Sequence, residues 1–197
     1  MATDPSADHV PHVDIDSGTG TGTVGTVDTG TAAAPADATP GSRPLLLMDV
    51  DGVLNPYAAE TCPEGYREFP FFPDEEPVRL CVDHGTWLAS LAHHFELAWA
   101  TGWEDEANEH IAPLLGLPVW PVVRFPPVPF DPSEKVPAIA AQVGAERPVA
   151  WVDDRHTPEA WTWMRARSAP TLLVPVDPAV GLTPAAVKQL LAWHATL

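Results

Sequence analysis

Apolar residues along the chain fall into short unbroken runs that alternate with stretches of helical period. The sharpest run is Leu45-Leu46-Leu47-Met48, which continues into Asp49-Val50-Asp51-Gly52-Val53-Leu54. An apolar run of this length, bounded by turn formers, predicts a strand buried on both faces, as in a parallel sheet. Residues 95–100 and 148–153 have the same character and run into Thr101-Gly102 and Asp153-Asp154. Residues 171–174 predict a further strand, and 119–123 another despite Pro121. Between them, helical spacing and end signals predict helices over 84–93, 104–115, 136–143, 157–167 and 185–195. Gly116 would end the second, while Thr157-Pro158 and Thr183-Pro184 are cap-plus-proline starts for the last two. Residues 55–80, punctuated by five prolines and Gly65, read as irregular. Their Phe69-Pro70-Phe71-Phe72-Pro73 cluster is either a flap beside a site or a loop packed on the core.

Strands alternating with helices imply β-α-β units, hence an α/β fold with a mainly parallel sheet of about five strands. Only residues 44–197 take part in it. Residues 1–43 contain no aromatic residue and no Leu, and such a segment buries too little apolar surface to offset its ordering entropy, so it reads as a disordered acidic tail. Its start lacks the positive charge and apolar core of a secretory signal, and no stretch approaches the ~20 apolar residues of a membrane span. The expectation is a cytoplasmic protein with no membrane partner. Cys62 and Cys81, the only cysteines, are too few for a disulfide framework and read as reduced thiols.

Charge narrows the choice of partners. The first 43 residues hold six aspartates and one arginine, a net −5 of the chain's −17, which leaves −12 for the remainder. A domain this acidic repels nucleic-acid backbones at long range. That excludes a broad basic track, though not a local basic pocket.

Four features fall in order at strand ends or loops: Asp49 with Asp51, Thr101, Lys135, and Asp153 with Asp154. Side chains alternate along a strand, so Asp49 and Asp51 leave one face together at its carboxyl end, where open α/β sheets bind ligands. Paired carboxylates there repel unless a proton or cation separates them. Phosphoryl transfer uses such parts. Asp49 can attack phosphorus to give an aspartyl-phosphate, and Asp51 can protonate the leaving oxygen and then activate water. Asp49 with one or both of Asp153 and Asp154 suits magnesium, with Asp154 the preferred direct ligand. Thr101 can donate to phosphoryl oxygens, and Lys135 can hold aspartate and phosphate together.

These segments (Asp49-Val50-Asp51-Gly52-Val53-Leu54, the strand ending in Thr101, Lys135, and Val152-Asp153-Asp154) resemble the four motifs of the haloacid dehalogenase (HAD) superfamily. The resemblance implies a Rossmann-like three-layer fold, Mg2+, and phosphatase activity through an aspartyl-phosphate. It implies Asp49 as nucleophile, Asp51 as general acid/base, and Thr101 and Lys135 as phosphate binders. Asp49, the Asp51 backbone carbonyl, Asp153 and Asp154 would hold the metal. Dehalogenases of the superfamily usually lack the second aspartate, so Asp51 favours phosphate chemistry. More narrowly, Trp99–Asn108 and Trp151–Arg155 are similar to the HAD domains named after "Swiss Army knife" RNA-repair proteins. Asp153-Asp154-Arg155 with Trp161 is also similar to the phosphatase half of polynucleotide kinase–phosphatases. Both imply a terminal phosphate of RNA or DNA as substrate.

Only 33 residues separate Thr101 from Lys135, which leaves no room for a large cap, and fewer than 30 lie between Leu54 and the next helix. An open site suits a phosphate on a larger molecule, or a small substrate closed in by a partner. Arg67, Arg124, Arg155 and His156 are candidate substrate-side cations, and Trp103 could stack on a base. Two alternatives stay open: a non-catalytic HAD-derived binding or regulatory module, and a small-metabolite phosphatase or phosphotransferase.

Overall fold

The structure, a computed structural model, describes residues 43–197. The disorder expected for the first 43 residues lies outside that range except at Arg43, whose guanidinium donates to the Ala92 carbonyl at 2.6 Å. Four parallel strands form the central sheet: β1 (Leu45–Met48), β4 (Glu96–Trp99), β5 (Val149–Asp153) and β6 (Thr171–Pro175), in the order β4-β1-β5-β6. The register pairs Leu45 with both Glu96 and Val149, so β1 is flanked on both sides. Alternation along these strands builds two cores. Leu46, Met48, Leu97, Trp99, Ala150 and Val152 face one layer, while Leu45, Leu47, Ala98, Val149 and Trp151 face the other. Helices α1 (Asp83–Leu91), α2 (Ala112–Leu115) and α5 (Pro184–His194) cover the first face; α3 (Lys135–Val143) and α4 (Pro158–Ala166) cover the second. This is the expected three-layer α/β arrangement. Thr157 and Thr183 cap α4 and α5 by accepting from the amides of Ala160 and Ala186.

Three segments differ from the sequence reading. The fifth strand expected over 119–123 is reduced to one parallel bridge between Trp99 and Val122. Prolines 118 and 121 lack the amide hydrogens a ladder needs, and only the Pro121 carbonyl and the Val123 amide bond to Trp99, each at 2.8 Å. Asn108 fastens the segment instead: its side chain bonds the Trp120 amide, the Trp120 carbonyl and the Trp99 indole, each at 2.9 Å. The second difference is a hairpin inside the stretch read as irregular. Strands β2 (Tyr66–Phe69) and β3 (Val78–Cys81) pair antiparallel, with Glu68 opposite Arg79. Each strand is only four residues long, too short for its alternation to stand out among prolines. The helix expected over 104–115 also departs from a plain α-helix: after Asp105 and Glu106 it widens into a π-helical turn at Ala107–Ile111 that continues into α2. Pro113 cannot donate to the usual i−4 carbonyl, and the wider turn accommodates it.

The hairpin is the only element between β1 and α1, so no large cap covers the sheet edge. His84 of α1 anchors it from below. The ring packs edge-on against Tyr66, and Nε2 lies 3.3 Å from both the Tyr66 hydroxyl and the Leu182 carbonyl. Cys62 and Cys81 are free thiols. Among the described residues, no helix is long and apolar enough to cross a membrane.

Burial lowers the His84 pKa to about 4, against the hydrogen bond to Leu182, so the fold holds this ring neutral. The unfolded chain takes up its proton near pH 6.5 and the folded chain does not, so stability is lost as pH falls through that window. The unfolding free energy, measured by urea titration, should drop between pH 6.5 and 4. His84 contributes on the order of 3 kcal/mol at the acid limit. His84→Gln should reduce this drop, leaving the share contributed by His156, which burial likewise lowers to about 4.

Candidate functional site

The chain leaves β1 toward β4 on one side and returns to β5 on the other, which makes the carboxyl end of β1 the switch point where open sheets bind ligands. Asp49 follows β1 there, Asp153 ends the neighbouring β5, and Lys135 opens α3 on the same face. The Lys135 ammonium lies 2.5 Å from Asp49 Oδ2 and 2.7 Å from Asp153 Oδ2. All three side chains are almost fully buried. Asp49 also accepts from the Val50 amide at 2.7 Å and from Thr101. The remaining oxygen of Asp153 accepts from the Arg155 amide at 2.8 Å, and the Trp151 indole donates to the oxygen that Lys135 also holds.

Burial pushes the Asp49 carboxyl up to about 6, with Lys135 pulling the other way and Asp153 adding to the rise. Burial also works against the Lys135 charge, but Asp49 and Asp153 outweigh it and hold the ammonium above its ordinary range. Two buried carboxylates thus share one buried cation, and the trio is one charge short of neutral. A ligand that brings positive charge would complete it.

Asp51 stands apart from this trio. Asn55 Nδ2 donates to its Oδ1 and the Trp103 indole to its Oδ2, both at 2.8 Å. Burial raises the Asp51 pKa, opposed by these two donors. Gly52 follows with φ of +74°, and a Cβ there would lie 2.5 Å from Asp154 Oδ2. Only glycine lets the turn pass so close to that carboxylate. Asp154 itself is half-buried, accepts from the Tyr57 hydroxyl at 3.1 Å, and has its pKa raised by burial.

Oxygens of Asp49, Asp153 and Asp154 lie within 4.8 Å of one another. An all-oxygen donor set of this kind fits a hard divalent cation such as magnesium better than a softer metal. The structure therefore brings Asp49, Thr101, Lys135, Asp153 and Asp154 together, with Asp51 turned to one side. Asp154 lines the cleft above Asp49, whereas Asp153 is sealed beneath it.

The cleft has a volume of about 980 Å3. Asp49, Asp51, Thr101 and Lys135 lie in it, together with Trp103 and Arg155. The other candidate cations are placed differently. Arg124 is tied to Asp105 at 2.7 Å and Glu104 at 3.2 Å, Arg67 lies on β2, and His156 is packed between Trp151 and Trp161. Trp103 does not simply pack at a helix start: its indole reaches Asp51, and Phe72 sits against its ring at 5.5 Å. The Phe-Pro cluster therefore both packs and lines the site. Asn55, unmarked in the sequence reading, joins Asp51 to the hairpin by accepting from the Arg79 amide at 3.0 Å. The local signal for it is the spacing Asp51-Gly52-x-x-Asn55, a turn whose ends can bond.

A family model described as the HAD domain in Swiss Army Knife RNA repair proteins matches residues 45–187. No curated protein matches the chain. Solved structures with similarity include a hypothetical protein from Xanthomonas campestris, with a TM-score of 0.46 and 17% identity over 80% of this chain and 86% of that one. A probable YrbI family phosphatase from Pseudomonas syringae gives 0.41 and 20% over 80% and 89%. A 3-deoxy-D-manno-octulosonate 8-phosphate phosphatase from Yersinia pestis gives 0.40 and 16% over 79% and 82%.

Replacing Lys135 by Met should leave two buried carboxylates without a counter-charge and cost about 3–5 kcal/mol at neutral pH. Asp49, which burial already pushes up to about 6, becomes neutral in acid, so the deficit relative to the parent protein should narrow as pH falls. Chemical denaturation at pH 7.5 and pH 5 would measure both effects.

Proposed function

The chain belongs to the HAD domain family of Swiss Army Knife RNA repair proteins, and on that basis we propose a magnesium-dependent phosphomonoester hydrolase working through an aspartyl-phosphate on Asp49. The observation that carries the reading is the Lys135 ammonium shared between Asp49 and Asp153 at the cleft floor. In this reading residues 44–197 are the phosphatase domain. The substrate is a phosphorylated small molecule or a nucleic-acid end. The free thiols suit a reducing compartment such as the cytoplasm.

An oxygen of Asp49 attacks phosphorus, and the bond from phosphorus to the ester oxygen breaks. Asp51 gives its proton to that departing oxygen. Its raised pKa keeps the proton available at higher pH than an exposed aspartate would. The resulting Asp51 carboxylate then takes a proton from water as the water oxygen attacks phosphorus. The bond to Asp49 breaks, inorganic phosphate leaves, and both aspartates return to their starting forms. Asn55 and Trp103 hold the Asp51 carboxyl in place through both proton transfers. Thr101 and Lys135 receive the phosphoryl oxygens, with Lys135 balancing Asp49. Magnesium held by Asp49, Asp154, the Asp51 carbonyl and the buried Asp153 would supply positive charge to the phosphoryl oxygens.

The protein should release phosphate from a chromogenic phosphate ester with Mg2+ and lose that activity in EDTA. Asp49→Asn, with unchanged circular dichroism, should lower the rate at least about 10³-fold. Magnesium binding with no turnover on a broad ester panel would favour the non-catalytic module instead.

A further inference from the structure

The walls of the cleft above Asp49 differ in chemistry from its floor. Phe72, Trp103 and Phe130 line one part of it, and the Phe72 and Trp103 rings lie 5.5 Å apart in a tilted pair. Three exposed carboxylates, Glu75, Glu76 and Glu106, line the same cleft. The cations it contains are Lys135 and Arg155. Lys135 is already engaged by Asp49 and Asp153, and Arg155, which follows directly on Asp154, is exposed at the cleft wall. Arg124, the nearest alternative along the Pro-rich loop, is held bidentate by Asp105.

Once a phosphoryl group occupies the floor, the rest of the substrate must lie against aromatic faces and carboxylates. A nucleic-acid strand carries a charge at every nucleotide and gains its affinity from Lys and Arg that neutralise those phosphates. This cleft offers the opposite lining. Aromatic faces beside carboxylates instead receive flat or apolar groups and organic cations. We infer that the substrate, within the hydrolase reading above on which this rests, is a compact phosphomonoester with a ring-bearing, amine-containing alcohol part and no second anionic group. Glu75, Glu76 and Glu106 set that preference, and Phe72 and Trp103 receive the ring.

The inference is tested with four esters in Mg2+: 4-(2-aminoethyl)phenyl phosphate, phenyl phosphate, 4-carboxyphenyl phosphate and a 3′-phosphorylated oligonucleotide. The expected kcat/KM favours the amine over the carboxylate ester by about tenfold at low salt, and the ratio falls as ionic strength rises. The oligonucleotide should be slower than phenyl phosphate. The double variant Glu75→Gln/Glu76→Gln should shrink the amine-to-carboxylate ratio severalfold, which separates the effect of the carboxylates from intrinsic leaving-group differences. A ratio unmoved by both the variant and salt, or the oligonucleotide as the best substrate, would overturn the inference while leaving the hydrolase intact. Failure to cleave any ester would overturn the hydrolase reading, and the inference with it.

Discussion

One buried ammonium between two buried carboxylates organises this molecule. Lys135 enters from the first turn of α3, Asp49 from the end of β1 and Asp153 from the end of β5, so the contact joins three elements at the sheet's switch point. Neither carboxylate could be charged there alone, because desolvation at such depth costs several kcal/mol per ion. The shared cation opposes the rise that burial imposes on Asp49 in a dry setting, where nearby dipoles act with little screening. Stability and the proposed chemistry therefore depend on the same contact.

Around this centre the loops give each acid a different environment. Asp51 is only two residues from Asp49, yet it bonds Asn55 and Trp103 rather than Lys135. Asp154 adjoins Asp153, yet it faces the cleft beneath Tyr57 while Asp153 is sealed below. Such separation of neighbouring carboxyls into unlike surroundings is how one site supports both a nucleophile and a proton donor. The hairpin takes part in this. Asn55 ties it to Asp51, and its connecting segment brings Phe72 against Trp103, so the cleft wall and the proposed general acid share one set of contacts.

Much of this was legible in the sequence because strand-end chemistry is local. The run Leu45–Met48 stops at the residue where the acids begin, and the β5 run stops the same way, so the acids had to emerge at one sheet edge. Lys135 beside them followed from motif order. The hairpin was not legible, because strands of four residues gain their stability from pairing and from Asn55 and His84 rather than from any intrinsic period. The lost fifth strand is the converse: residues 119–123 have strand composition, but two prolines remove the donors that pairing needs. The bond from Trp103 to Asp51 spans 52 positions, and no local pattern announces such a contact.

In the proposed mechanism Asp49 itself carries the phosphoryl group during turnover. Acid quench during steady-state hydrolysis, followed by borohydride reduction and peptide mass spectrometry, reads this directly, since an acyl phosphate is reduced where a free carboxylate is not. Homoserine is expected at position 49 only in protein quenched with substrate and Mg2+ present. An enzyme that turns over with Asp49 unmodified, or with the reduction at another residue, would contradict this mechanism.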